Sequence, residues 1–142
     1  MNYKTYLFDF DYTLADSSRG IVKCFRIVLT RHQYLTVTDE AIKRTIGKTL
    51  EESFSILTGV TDPAQLAAFR QEYRQEADIH MNVNTCLFPD TLSTLTALKK
   101  QGARIGIIST KYRFRIVSFL EKYMPEDFLD IVVGGEDAVS YT

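Results

Sequence analysis

The chain of 142 residues is 45% hydrophobic and carries 17 basic and 18 acidic side chains, for a formal net charge of -1. This composition indicates one globular domain, or one domain with an insertion, and excludes a disordered chain. The balanced charge would draw the protein neither to nucleic acid nor to an anionic membrane, and no run of about 20 apolar residues could span a bilayer. We therefore predict no nucleic-acid partner and no membrane partner.

The two cysteines and the N-terminal residues indicate the cellular compartment of the protein. Cys24 and Cys86 lack the spacing of a zinc site or a redox motif, and we interpret both as small core residues with free thiols. Free thiols are typical of a reducing compartment. Asp9 interrupts the first apolar run too early for a secretory signal. The sequence therefore predicts a cytoplasmic protein.

An apolar stretch over residues 3–10 forms the first element and is rich in tyrosine, leucine and phenylalanine. Its weak alternation favours a strand buried on both faces over a surface strand. Asp9 then lies at the carboxyl end of the strand, and Asp11 lies in the loop that follows.

Helices alone are predicted over residues 16–81. Apolar residues at helical spacing indicate a first helix over residues 17–33, and a shorter helix begins near Thr38. Thr49 begins a Thr-x-x-Glu capping box, and Asp62 is predicted to cap a longer helix that has a proline at its first position.

Strands and helices alternate in the rest of the chain. A helix opened by Asp90 precedes an apolar strand over residues 103–109. A helix over residues 112–123 then precedes a third strand over residues 130–133. Repeated strand and helix units of this kind imply a parallel sheet covered by helices.

The predicted fold class is therefore α/β, with a Rossmann-like parallel sheet as the core and an all-helical domain inserted after the first strand. We assign residues 1–15 and 82–142 to the core and residues 16–81 to the inserted domain. Three strands leave an edge and a face of the sheet open, so we interpret the core as incomplete. We expect self-association through the exposed edge.

Polar residues follow two strands of the predicted core, and ligands of open α/β sheets bind outside such strand ends. Asp9 and Asp11 form a carboxylate pair, which repels itself unless a cation intervenes, and hard oxygen ligands select Mg²⁺. With Mg²⁺ neutralising a phosphate, one carboxylate can attack phosphorus and the other can transfer the proton. Donors for the phosphoryl oxygens are Thr13, Ser109, Thr110 and Lys111.

The segment DFDYT at residues 9–13 and the apolar strand that ends in Ser109-Thr110-Lys111 resemble the first two motifs of the haloacid dehalogenase superfamily of phosphohydrolases. The resemblance implies that Asp9 is the nucleophile and a metal ligand. It implies that Asp11 is the acid/base and a metal ligand through its backbone carbonyl, and that Ser109 binds phosphate. Mg²⁺ is the implied cofactor, and an aspartyl-phosphate is the implied intermediate.

The inserted helices resemble the cap of phosphoglycolate phosphatase and β-phosphoglucomutase relatives, and residues 46–54, IGKTLEESF, carry the likeness. This implies a cap that closes over the core site and selects the substrate. We expect Arg44, Gly47 and Lys48 to contact it. The Ser-Thr-Lys segment also resembles the second motif of related pyrophosphatases.

The chain departs from the family pattern in two ways. Tyr12 stands where glycine is commonest. The family's third-motif lysine and fourth-motif acidic pair have no counterpart here, and Lys111 is a candidate to replace that lysine in part. Glu136 and Asp137 precede the expected lysine position and are not expected to bind the metal.

The prediction is a Mg²⁺-dependent phosphatase of a small phosphorylated metabolite such as phosphoglycolate, pyrophosphate or a sugar phosphate. Three alternatives stay open: a catalytically incomplete fragment, a non-catalytic phosphate-binding module and a phosphomutase. The mutase is less favoured, because such relatives usually read Asp-Gly-Val after the second aspartate, where this chain has Tyr12-Thr13-Leu14.

Overall fold

The structure, a computed structural model, describes residues 4–138. The chain divides into two compact units, one built from the residues up to Asp16 and from Cys86 onward, the other from Ser17–Thr85. The first contains a parallel sheet and the second is helical, which confirms the predicted α/β class. In chain order the elements are β1 (Thr5–Phe8), β2 (Ala15–Asp16), α1 (Ser18–Arg31), α2 (Asp39–Arg44), α3 (Leu50–Thr58), α4 (Pro63–His80), a 3-10 turn (Asn82–Asn84), β3 (Cys86–Leu87), α5 (Thr91–Lys100), β4 (Arg104–Ile108), α6 (Arg113–Leu120), β5 (Ile131–Val133) and α7 (Gly135–Ala138).

The sheet of the first unit is parallel and has the strand order β1-β4-β5 among the described residues. Ile105 and Ile107 of β4 are fully buried and belong to a core cluster with residues of α5 and α6. Next to β5, Asp130 accepts a hydrogen bond from the Ile105 amide at 2.7 Å. This bond, with a smaller contribution from Lys99, lowers the pKa of the Asp130 carboxyl. This hydrogen bond links the start of β4 to the residue before β5.

The prediction that the first strand is buried on both faces is wrong, because one face of β1 is exposed. Leu7 pairs with Gly106, which pairs with Ile131, so the three residues share a face. Leu7 is 55% exposed and Ile131 is 53% exposed. A Cβ on Gly106 would lie 2.6 Å from the Ile131 side chain and 2.9 Å from that of Leu7. Composition marks a strand as apolar but does not reveal whether a second layer covers it.

A two-stranded antiparallel pair, β2 with β3, was not predicted. Each strand has two residues, too few for a periodic pattern. Cys86 lies in β3 and is exposed, which makes its assignment to the core wrong, whereas Cys24 is buried as predicted. The alternation of side chains in β3 turns Leu87 toward the core instead.

Self-association through the sheet edge stays a prediction. Within residues 4–138, β1 pairs on one side with β4 and offers its other edge. We expect Leu7→Lys to weaken any concentration-dependent association seen by size-exclusion chromatography with light scattering. Ile79→Lys is the control, since Ile79 is 65% exposed but lies on α4 of the other unit. Equal association of wild type and Leu7→Lys would contradict the prediction.

The helical unit packs around aromatic side chains of α1, α3 and α4. The ring centroids of Phe25 and Phe54 lie 4.8 Å apart, and those of Phe54 and Phe69 lie 5.2 Å apart. The Arg31 guanidinium of α1 bridges Glu72 and Glu76 of α4, each at 2.7 Å. Burial raises the pKa of Glu72, but hydrogen bonds from Arg31 and His32 outweigh it and lower the pKa below its ordinary value.

Two predicted helix starts are confirmed in this unit, whereas Asp62, predicted to cap α4, makes no side-chain capping bond. Thr38 accepts a hydrogen bond from the Ala41 amide at 3.1 Å, and Thr49 accepts one from the Glu52 amide at 3.2 Å. Gly59 ends α3 at a φ of 79°, a left-handed conformation that suits glycine. No helix within residues 4–138 combines the length and apolar character needed to cross a bilayer.

Candidate active site at the strand ends

The loop after β1 carries the aspartate pair. Asp9 follows β1 directly, is exposed, and accepts a hydrogen bond from the Phe10 amide at 2.7 Å. Phe10 is fully buried and packs edge-on against Phe119, with ring centroids 5.7 Å apart. An exposed carboxylate is therefore fixed next to a residue anchored in the core.

A tight turn follows Asp11. The amides of Leu14 and Ala15 donate to the Phe10 carbonyl at 3.0 and 3.1 Å, and the Tyr12 amide donates to the Ala15 carbonyl at 2.8 Å. Tyr12 has a φ of 66°, in the left-handed region. A side chain there costs about 1–2 kcal/mol, which gives a physical reason for the glycine preferred in the family it resembles. The turn keeps its shape despite this departure.

The loop after β4 carries the predicted phosphate donors. Phe8 pairs with Ile107, so the parallel register brings this loop to the same edge of the sheet as Asp9. The Ser109 amide donates to the Val133 carbonyl at 3.0 Å, and Ser109 Oγ accepts from the Lys111 amide at 3.1 Å. The loop thus continues the sheet ladder for one residue and then turns.

One ion pair joins the two loops. Lys111 Nζ lies 3.3 Å from Asp11 Oδ1, and the two side chains are 8% and 23% exposed. Water therefore screens this pair less than it screens an exposed one. Nζ also lies 5.7 Å from the Phe10 ring centroid. The ammonium group of Lys111 thus faces Asp11. Lys111 is the residue suggested above as a partial replacement for the family's third-motif lysine.

Of the other predicted site residues, Thr13 is exposed on the first turn and Thr110 on the second loop. Arg44, Gly47 and Lys48 belong to the helical unit, and all three are exposed.

The predicted substrate-contacting residues Arg44, Gly47 and Lys48 lie at the end of α2 or shortly after it. Arg44 is its last residue, and Gly47 adopts a φ of 98°, which suits glycine. Lys48 lines an open hollow of about 470 Å³ together with residues of α3 and α4.

Asp9 and Asp11 are the residues predicted to hold a divalent cation. Within residues 4–138 no group of three or more histidine, cysteine, aspartate or glutamate side chains is placed to hold a metal. Mg²⁺ nevertheless suits a pair of oxygen donors, because it commonly binds one or two carboxylates and completes its shell with water and substrate phosphate.

Sequence reasoning missed a role for Glu136. Its carboxylate accepts hydrogen bonds from the amides of Arg113 and Phe114, at the start of α6. A sequence signal existed, because Tyr112 precedes this helix and tyrosine is not a capping residue. It showed that a cap was needed but not which residue supplied it.

Comparison with known proteins decides the family. A family model described as haloacid dehalogenase-like hydrolase matches residues 6–141. The chain belongs to the haloacid dehalogenase-like hydrolases. This membership agrees with the resemblance found in the motifs that carry Asp9, Asp11 and Ser109.

Relatives of this chain include proteins named as phosphatases. Pyrophosphatase PpaX of Bacillus cereus (strain Q1) is 28% identical over 137 residues, which cover 96% of this chain and 62% of PpaX. A haloacid dehalogenase-like hydrolase of Bacteroides fragilis has a solved structure that is 75% identical with a TM-score of 0.91, over 96% of this chain and 65% of that one. The chain thus spans less than two thirds of either relative.

A third comparison concerns the fold of the chain alone. A Haemophilus somnus protein described as a predicted phosphoglycolate phosphatase is 17% identical with a TM-score of 0.82, over 95% of this chain and 64% of that one.

Proposed function

We propose that this chain carries the catalytic loops of a Mg²⁺-dependent phosphatase that hydrolyses a small phosphorylated metabolite. The observation that carries the proposal is the ion pair between Lys111 and Asp11 at 3.3 Å, which joins the loops after two neighbouring parallel strands. Membership of a hydrolase family and relatives named as phosphatases support it. Phosphoglycolate, pyrophosphate and a sugar phosphate are the candidate substrates, and the name of the PpaX relative favours pyrophosphate as the first to assay.

The proposed reaction has two steps. Asp9 attacks phosphorus, the bond from phosphorus to the leaving oxygen breaks, and Asp11, in its protonated form with Lys111 turned to the phosphoryl oxygens, gives that oxygen its proton. A water molecule then attacks the aspartyl-phosphate and gives a proton to Asp11, so inorganic phosphate leaves and Asp9 is regenerated. The loop cation Lys111 and the hydroxyl of Ser109 stabilise charge on the phosphoryl oxygens.

The chain's own donors fit the proposed cofactor. We expect the Asp9 carboxylate and the Asp11 backbone carbonyl to hold Mg²⁺, since the Asp11 side chain is engaged by Lys111. The ion would neutralise phosphate charge and so lower the repulsion that the Asp9 carboxylate meets.

Metal dependence tests this proposal. Hydrolysis of p-nitrophenyl phosphate should require Mg²⁺ and be inhibited by Ca²⁺, because a larger ion with more ligands draws Asp9 into bidentate coordination. Beryllofluoride should add to the Asp9 carboxylate as a mimic of the aspartyl-phosphate, visible in a soaked crystal. Clear density for the ion elsewhere and none at Asp9 would contradict the assignment of the nucleophile.

We also propose that Arg44, Gly47 and Lys48 select the substrate. Arg44→Ala and Lys48→Ala should each reduce kcat/KM by about 10- to 100-fold for the substrates that the lost cation contacts, the value of one hydrogen bond to a charged group. Lys43→Ala is the matched control, an exposed cation on the same helix. Equal losses on every phosphate ester, with the rank order unchanged, would instead indicate a role in folding.

The alternatives remain distinguishable by product. A phosphomutase would return the phosphate to another hydroxyl of the sugar, whereas a phosphatase releases it as inorganic phosphate. A non-catalytic module would bind phosphate without either product. A cytoplasmic location and the lack of nucleic-acid and membrane partners stay predictions.

A further inference from the structure

We infer that Glu136 is a positioning residue for the loop that carries Ser109, Thr110 and Lys111. The inference rests on the proposed function of that loop. Its basis is a set of contacts that Gly134 and α7 make with this loop and with the start of α6.

The start of α6 takes its cap from a distant part of the chain. Tyr112, its N-cap residue, makes no side-chain capping bond. Glu136 Oε1 accepts a hydrogen bond from the Arg113 amide, and Oε2 accepts one from the Phe114 amide at 3.3 Å. The first amides of a helix have no acceptor inside the helix, and a carboxylate there also meets the positive end of the helix dipole. Glu136 therefore fills the cap position of a helix 22 residues before it.

Two glycines allow this approach. A Cβ on Gly134 would overlap the Arg113 amide nitrogen, and a Cβ on Gly135 would overlap the Thr110 carbonyl oxygen. The Gly135 amide donates to the Lys111 carbonyl at 2.9 Å. The backbone of Gly134 and Gly135, where α7 begins, is thus packed against the backbone of residues 110–113. Glu136 also accepts hydrogen bonds from the first amides of α6.

The neighbouring carboxylate stabilises the same turn. Asp137 Oδ2 accepts from the Gly134 amide at 2.8 Å and lies 3.7 Å from Arg113 Nε. Glu136 and Asp137 therefore both have a structural use that needs no metal ion.

The contacts form a continuous path from Glu136 to the proposed acid/base. Lys111 is held at its carbonyl by Gly135, at its amide by Ser109 Oγ, and at its ammonium group by Asp11. Loss of the cap would free the start of α6 and, with it, the backbone of Lys111. The ammonium group would then leave Asp11 more often and become accessible to solvent.

Competitive acetylation of lysines tests this directly. The intact chain is treated with limiting acetic anhydride, and each lysine is quantified by peptide mass spectrometry. In wild type, Lys111 should react slowly because its side chain is 8% exposed and ion-paired. Glu136→Ala should raise its rate about fivefold, which corresponds to about 1 kcal/mol for loss of one cap. Glu136→Gln should restore most of the protection, because the amide oxygen still accepts one hydrogen bond.

Internal controls separate positioning from general loosening. Lys99 lies in the same unit, its side chain is 29% exposed and ion-paired with Asp130 at 3.6 Å, and it should react equally in all variants. Glu126→Ala removes an exposed carboxylate from that unit and should leave Lys111 unchanged. Unchanged labelling of Lys111 in Glu136→Ala, with native circular dichroism, would overturn the inference. So would an equal rise at Lys99 in both Glu136 variants, since that outcome reports unfolding of the whole unit.

The labelling experiment does not depend on turnover. If Asp9 were not the nucleophile, Glu136→Ala would still expose Lys111, so the proposed function could fail while the inference holds. If Lys111 kept its protection while Asp9→Asn abolished turnover, the inference alone would fail.

Discussion

Asp9→Asn should abolish phosphatase turnover while the fold is retained. Asparagine is nearly the same size as aspartate, and its Oδ1 can keep the hydrogen bond that the Phe10 amide makes to Asp9 at 2.7 Å. It cannot attack phosphorus, and it lacks the charge that Mg²⁺ requires. Loss of a covalent nucleophile can cost on the order of 10⁶ in kcat, so the residual rate should be at background. The measurement is release of inorganic phosphate under saturating Mg²⁺, with thermal unfolding of both proteins.

The matched control is Asp127→Asn, which removes an exposed carboxylate from the same unit. It should retain the wild-type rate and melting temperature. Turnover of Asp9→Asn at the wild-type rate would show that the nucleophile is another residue. A lower melting temperature with no turnover would leave open a folding effect, which Asp9→Glu resolves, since it keeps the charge but moves the attacking oxygen.

A side-by-side assay with the Bacteroides fragilis relative should show a second large difference. This chain covers 65% of that protein and is 75% identical to it over the shared part. The family resemblance implies a lysine and further carboxylates that the motifs of this chain do not include. Loss of one positioned electrostatic partner typically costs about 10²- to 10³-fold in rate. The 142-residue chain should therefore hydrolyse the same ester at least 10²-fold more slowly at equal concentration.

Equal kcat/KM for the two proteins would contradict this expectation. It would mean that residues within the shared part complete the site. Lys111 would then be the first position to replace, because its ammonium group already lies 3.3 Å from Asp11. Lys111→Met would remove the charge and keep most of the side-chain volume.

Features that depend on neighbours in sequence were predictable. Thr38 and Thr49 begin helices through bonds within a few residues, and both helix starts were predicted where the structure has them. The strand at residues 104–108 was predicted from its apolar run within one residue at either end. The helix predicted to reach residue 123 ends at Leu120, because the last residues of a helix depend on packing.

The site shows the same division between local and distant contacts. Asp9 and Asp11 were found because they lie two residues apart at the end of an apolar strand. The contact between Lys111 and Asp11 spans 100 residues, and that between Glu136 and Arg113 spans 23. No pattern within either segment specifies its partner.

The sequence by itself determined the longer helices, the three strands of the parallel sheet and the residues able to do chemistry, because apolar periodicity, capping and short motifs act over a few positions. Only the tertiary structure decided which of those residues meet. The strand order β1-β4-β5 places the loops after β1 and β4 side by side. Among the described residues, Leu7 lies on a face of the sheet where it is exposed. Pairing of strands and covering of faces depend on the free energy of the whole folded chain, and no single segment carries that information.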